Sequence, residues 1–90
     1  MAILDRKTTK DNHEMQIGIN HFGHFYLTYL LWDKLKQSGN PRIVNVSSSA
    51  HMSINKSYDI DFSNIHYQNG SYSPYAAYSH SKKANILFTK

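Results

Sequence analysis

Residues 73–90 read SPYAAYSHSKKANILFTK, and the chemistry of the whole chain turns on this stretch. Ser73 before Pro74 is a helix start: a serine oxygen accepts from free first-turn amides, while proline brings a preset φ and no amide in need of a partner. Ala76, Ala77, Ala84 and Leu87 favour continuation, and no glycine or second proline interrupts it. On such a helix Tyr78 and Lys82 stand at i and i+4, one above the other on one face. A phenol is a weak acid at neutral pH, and an adjacent ammonium favours its ionised form, which is the setting of a general acid/base. With seven tyrosines among ninety residues, the Y-x-x-x-K spacing is weak evidence by itself and takes its meaning from what precedes it.

Ninety residues allow one small domain. A hydrophobic content of 40% with 13% aromatics excludes a disordered tail. No cysteine is present, which excludes a disulfide framework and cysteine zinc sites and agrees with a reducing compartment. The apolar block Tyr29-Leu30-Leu31-Trp32 is far too short for a membrane span, and residues 1–12 lack the pattern of a signal peptide, so a cytoplasmic location is expected. The net charge of +4 is dispersed over Arg6, Lys7, Lys10, Lys34, Lys36, Lys82, Lys83 and Lys90. No aromatic stripe interleaves with it, so a nucleic-acid partner is not expected. The phosphates of a nucleotide would suit the mild positive bias.

Upstream, residues 1–9 read as a loop, and Thr9, Asp11 and Asn12 are possible N-caps of a first long helix, with Glu14 in its positive first turn. Met15, Ile19, Phe22, Tyr26 and Leu30 recur at helical spacing, widened by Leu27, Leu31 and Leu35. Gly39 and Pro41 end the helix after roughly 25 residues, about 38 Å. Gly23 inside it marks a close approach or a bend. Asn20 lies three residues earlier, facing solvent or a cavity. His21 and His24 have a spacing that could hold a metal, but no third ligand accompanies them, so surface or interface histidines are expected and no metal. Residues 42–47 are a short β-branched run read as a buried parallel strand of an α/β sheet, whose carboxyl end is where such sheets place their sites. Ser47, Ser48 and Ser49 leave that end, either as turn residues or as donors to a substrate carbonyl. Residues 50–72, rich in Asn, Ser and Tyr, read as a long functional loop anchored by Ile60, Phe62 and Ile65.

The segments NHFGHF (20–25), RIVNVSS (42–48) and YSHSKKAN (78–85), in this order, resemble the short-chain dehydrogenase/reductase family, and its retinol-dehydrogenase-like branch in particular. The resemblance covers nearly the whole chain. It implies an α/β fold: a fragment of a Rossmann-type doubly wound parallel sheet, running long helix, strand, long loop, helix, with residues 1–90 as part of an NAD(P)-binding domain. It implies that Tyr78 moves a proton to or from the substrate oxygen and that Lys82 binds the nicotinamide ribose and favours the tyrosine's ionised form. Ser48 would hold the substrate carbonyl or alcohol, with Ser47 or Ser49 as lesser choices. Asn20 would hold a water linking Lys82 to solvent, in a break of the long helix eased by Gly23. The implied cofactor is NAD or NADP and the implied substrate a small lipophilic alcohol or carbonyl, retinoid-like or steroid-like. Possible homo-oligomers form through the two long helices. Relatives on this branch often associate with the endoplasmic reticulum, which is the alternative location.

The family's T-G-x-x-x-G-x-G turn, which cradles the pyrophosphate at a helix N-terminus, is not among these residues. The alternative to an enzyme segment is a catalytically inactive, helix-mediated interaction module. One strand between two helices cannot satisfy its own edges. The ninety-residue polypeptide is therefore expected to be marginally folded and without turnover by itself; a cooperative urea transition together with cofactor-dependent turnover would contradict this.

Overall fold

The computed structural model describes residues 5–52 and 59–90; the first four residues of the expected N-terminal loop and the middle of the expected 50–72 loop lie outside them. The first helix does not start at Thr9, Asp11 or Asn12. Those residues form a tight turn: Asn12 has φ +64°, its amide donates to the Thr9 carbonyl at 3.0 Å, and the His13 amide donates to Thr9 Oγ1 at 3.2 Å. The cap is Glu14, fully buried, whose carboxylate accepts from the amides of Gln16 at 2.9 Å and Ile17 at 3.0 Å. An anion there answers both the orphan amides and the positive helix end.

Three pieces then follow without a break: α1 (Met15–Ile17), a π-turn (Gly18–Gly23) and α2 (His24–Gln37). The apolar spacing identifies this long helix, but one extra residue per turn over six residues lies below what that spacing resolves. Gly18 carries the close approach within it, because a Cβ there would sit 2.7 Å from Thr9 Cγ2. At Gly23 a Cβ would meet no more than the Gly18 carbonyl at 3.4 Å. The end is as expected: Ser38 caps α2, and Gly39 takes φ +80°, a conformation that favours glycine. The third helix, α3 (Pro74–Thr89), also begins where the sequence places it, with Ser73 accepting from the Ala76 amide.

The expected strand is absent. Residues 41–48 have no regular secondary structure, and the described residues contain no strand, only an isolated bridge between Thr8 and Glu14. This chain, as folded, is therefore not a sheet-containing Rossmann fragment. The reason is non-local: a β-branched run becomes a parallel strand only with neighbours on both edges. Val44 and Val46 are 87% and 67% exposed. Helix α3 holds the run instead: Asn45 Nδ2 donates to Thr89 Oγ1 at 3.0 Å and Ser47 Oγ to the Lys82 backbone carbonyl at 2.8 Å. Two short 3-10 turns follow among the described residues, Ser49–Met52 and Phe62–Asn64. The Ser49–Met52 turn, α1 and the π-turn all pack on α3.

The interior is thin and polar. Among the described residues the buried apolar ones are Ile17, Ala76, Ala77 and Ala84, and beside them lie Glu14, Gln16, Ser79, Ser81, Lys82 and Asn85. Tyr72 donates its hydroxyl to Glu14 Oε1 at 2.9 Å. Burial first, and then this bond to Glu14, push the Tyr72 phenol up to about 12. Burial pushes Tyr67 upward too, with the Glu14 carboxylate adding to it. Both phenols are raised above the ordinary 10.0. Their contribution to stability is thus complete below that value and is lost as pH rises through the folded-state values. Urea midpoints should hold steady to pH 10 and fall towards pH 12, with a shallower fall in Tyr72→Phe. Glu14→Ala, which strips the cap, leaves the amides of Gln16 and Ile17 without their carboxylate and removes the acceptor of the Tyr72 hydroxyl, should lower the unfolding free energy by about 2 kcal/mol. An unchanged urea midpoint in Glu14→Ala would reject this account of the helix start.

Candidate active site

Helical geometry fixes the relation between Tyr78 and Lys82, and the structure shows what fixes Lys82 itself. Its side chain is 8% exposed, with Nζ 5.6 Å from the centre of the partly buried Tyr78 ring. Nζ donates to the Val46 carbonyl at 3.4 Å. The run read as a strand therefore reaches the site after all, as an irregular segment lying along α3 and offering a carbonyl.

Asn20 sits in the π-turn and faces α3. Its Nδ2 donates to Ser81 Oγ at 3.0 Å, and Ser81 donates on to the Tyr78 carbonyl at 2.7 Å. The Asn20 carbonyl accepts from Asn85 Nδ2 at 2.9 Å. Of the three serines, Ser47 supplies the bond to α3, whereas Ser48 Oγ accepts from the Ala50 amide at 3.2 Å and opens the following 3-10 turn. Of the four candidates, Asn20, Tyr78 and Lys82 meet on α3, whereas the bonds of Ser48 are to its own turn. Asn20 and Lys82 are tied into this arrangement through Ser81, Asn85 and Val46.

Sequence reading passed over Ser81 and Asn85, both buried. A signal existed for Asn85: an asparagine mid-helix among Ala84, Ile86 and Leu87 is a poor helix former that calls for a partner. His21, half-buried, lies at the contact with α3, where its Nδ1 pairs with Asn85 Oδ1 at 3.0 Å and its ring meets Phe88 edge-on; His24 is exposed. Among the described residues no group of three or more His, Cys, Asp or Glu converges as a metal site. A cavity of about 240 Å³ is lined by Ile17, Tyr67, Ser73, Ala76, Ala77 and His80 among others. At 100° per residue these α3 positions lie opposite Tyr78 and Lys82, so the cavity does not serve the pair. Among the described residues no helix is long and apolar enough to cross a membrane.

The chain is 52% identical over 83 residues to human retinol dehydrogenase 13, covering 92% of this chain and 24% of that protein. Human retinol dehydrogenase 12 is 50% identical over 82 residues, 91% of this chain and 24% of that protein. Human polyprenol dehydrogenase is 42% identical over 93 residues, 99% and 27% respectively. The chain belongs to the short-chain dehydrogenase/reductase family. It spans about a quarter of the length of the dehydrogenases it matches. No family model and no solved structure matches it. The family resemblance carried by NHFGHF, RIVNVSS and YSHSKKAN is therefore upheld by overall identity, while the sheet inferred with it is not formed by these residues.

Proposed function

We propose that this chain is a cofactor-binding and proton-transfer segment of an NAD(P)-dependent oxidoreductase that interconverts an alcohol and a carbonyl. The observation that carries the reading is Lys82: a lysine 8% exposed, its ammonium bonded to the Val46 carbonyl and set 5.6 Å from the centre of the Tyr78 ring. Retinol and polyprenol dehydrogenases, by their names, act on lipophilic alcohols. The substrate proposed here is likewise a small lipophilic alcohol or carbonyl, retinoid-like or steroid-like.

A nicotinamide cofactor fits the donor set. An ammonium has three N–H donors, and the Val46 carbonyl engages one, which leaves two for the paired hydroxyls of a ribose. When bound, NAD or NADP supplies the hydride chemistry. Tyr78 gives its phenolic proton to the substrate oxygen in reduction and takes it back in oxidation. Ser48 already accepts from the Ala50 amide, so its O–H is turned to donation and holds the substrate oxygen. Asn20 holds the water that links Lys82 to solvent.

A second reading, a catalytically inactive interaction module, draws on one observation. Tyr26, Leu27 and Leu30 lie within about 100° of one another on α2 and are each half or more open to solvent, a face suited to packing against a second copy. A chimera in which this chain replaces its matched segment of human retinol dehydrogenase 13 separates the two. The expected outcome is NAD(P)-dependent alcohol oxidation, reduced about a hundredfold or more by Tyr78→Phe, and a raised cofactor KM in Lys82→Ala. Undiminished turnover in Tyr78→Phe would reject the assignment. An inert chimera, together with concentration-dependent self-association of the ninety-residue chain in sedimentation, would favour the module.

A further inference from the structure

Asn85 is 1% exposed, and every polar position of its amide is used. Its Nδ2 donates to the Asn20 carbonyl at 2.9 Å and to the Val46 carbonyl at 3.1 Å. Those two bonds consume both amide hydrogens, so Oδ1 faces His21 Nδ1 as an acceptor. His21 Nδ1 must then carry a proton. The opposite amide orientation would set an oxygen against two carbonyls and is excluded on charge alone. Neutral His21 is thereby fixed as the Nδ1–H tautomer, its ring packed against Phe25 and Phe88.

The Val46 carbonyl is shared between Asn85 Nδ2 and Lys82 Nζ, at 3.1 and 3.4 Å. Nothing in regular secondary structure holds Val46, so its carbonyl stays where the side chains of α3 put it. We propose that Asn85 is a positioning residue for Lys82: its buried amide, braced by the Nδ1–H of His21, fixes the Val46 carbonyl that anchors the Lys82 ammonium, and ties the Asn20 carbonyl to the same point. The purpose given to this clamp rests on the reading of Lys82 as a cofactor-binding residue; its geometry does not.

The test is made on the full ninety-residue chain, nitrogen-labelled, by two spectroscopic readings. Long-range proton–nitrogen spectra of the imidazoles report the tautomer of each histidine, with His21→Gln for assignment. Low-temperature spectra of the lysine ammonium groups report how fast their protons exchange. In the native chain His21 should be the Nδ1–H tautomer, and the Lys82 ammonium should be visible where that of exposed Lys34 has been lost to exchange. In Asn85→Asp the new carboxylate still accepts from His21, so the tautomer persists, but both carbonyls lose their Asn85 donor, the Val46 carbonyl keeps only Lys82 to hold it, and the Lys82 signal should disappear. In Asn85→Leu both signatures should go. A merely structural role would move both together in Asn85→Asp. A native His21 found as Nε2–H, a native Lys82 exchanging like Lys34, or a Lys82 signal unchanged in Asn85→Asp would each overturn the proposal. The native readings decide alone if the variants do not fold. None of these readings involves turnover, so an intact clamp in a chain whose chimera is inert would sink the functional reading and leave this one standing.

Discussion

Two backbone carbonyls, those of Asn20 and Val46, converge on one buried amide, and the placement of Asn20 and Lys82 follows from that meeting. The contact between the π-turn and α3 is a hydrogen-bonded seam through Ser81 and Asn85 rather than an oily one. Net, each such bond contributes on the order of 1 kcal/mol, while a buried group left without its partner costs about 1–3 kcal/mol. The seam is consequently more specific than it is strong. It tolerates one arrangement of the three segments and penalises the others, which suits groups whose separations matter to chemistry.

What was legible in the sequence was local. Ser73 and Pro74 announce α3 because capping and proline geometry act within one turn, and Gly39 closes α2 for the same reason. The relation of Tyr78 to Lys82 follows from helix periodicity alone. The family followed from three motifs in order, and overall identity to retinol dehydrogenases agrees with it. The first helix start was misplaced because Thr9, Asp11 and Asn12 are as much turn residues as caps. They serve the turn, and the longer Glu14 reaches back to its own helix from a fully buried position.

The rest depended on partners far along the chain. Residues 42–47 have strand composition, but composition cannot supply neighbouring strands, and the run is captured by α3 instead. The π-turn shows as no more than a slight phase shift in an apolar stripe, though Gly18 and Gly23 bracket it. The pairing of His21 with Asn85 spans 64 positions, beyond any spacing rule. The Tyr78–Lys82 pair could thus be read from the sequence, whereas the residues that hold it still could not.

The segment 42–48 has a further consequence. Ile43, Val44 and Val46 are open to solvent on a backbone outside any ladder, which is the composition and exposure from which chains nucleate cross-β assembly. Asn45, the Val46 carbonyl and Ser47 are each occupied by α3. A bound carbonyl and tethered side chains cannot lie flat against a second molecule. The bonds that shape the site thereby act as gatekeepers of colloidal stability, and loosening them would expose a sticky strand as well as misplace an ammonium.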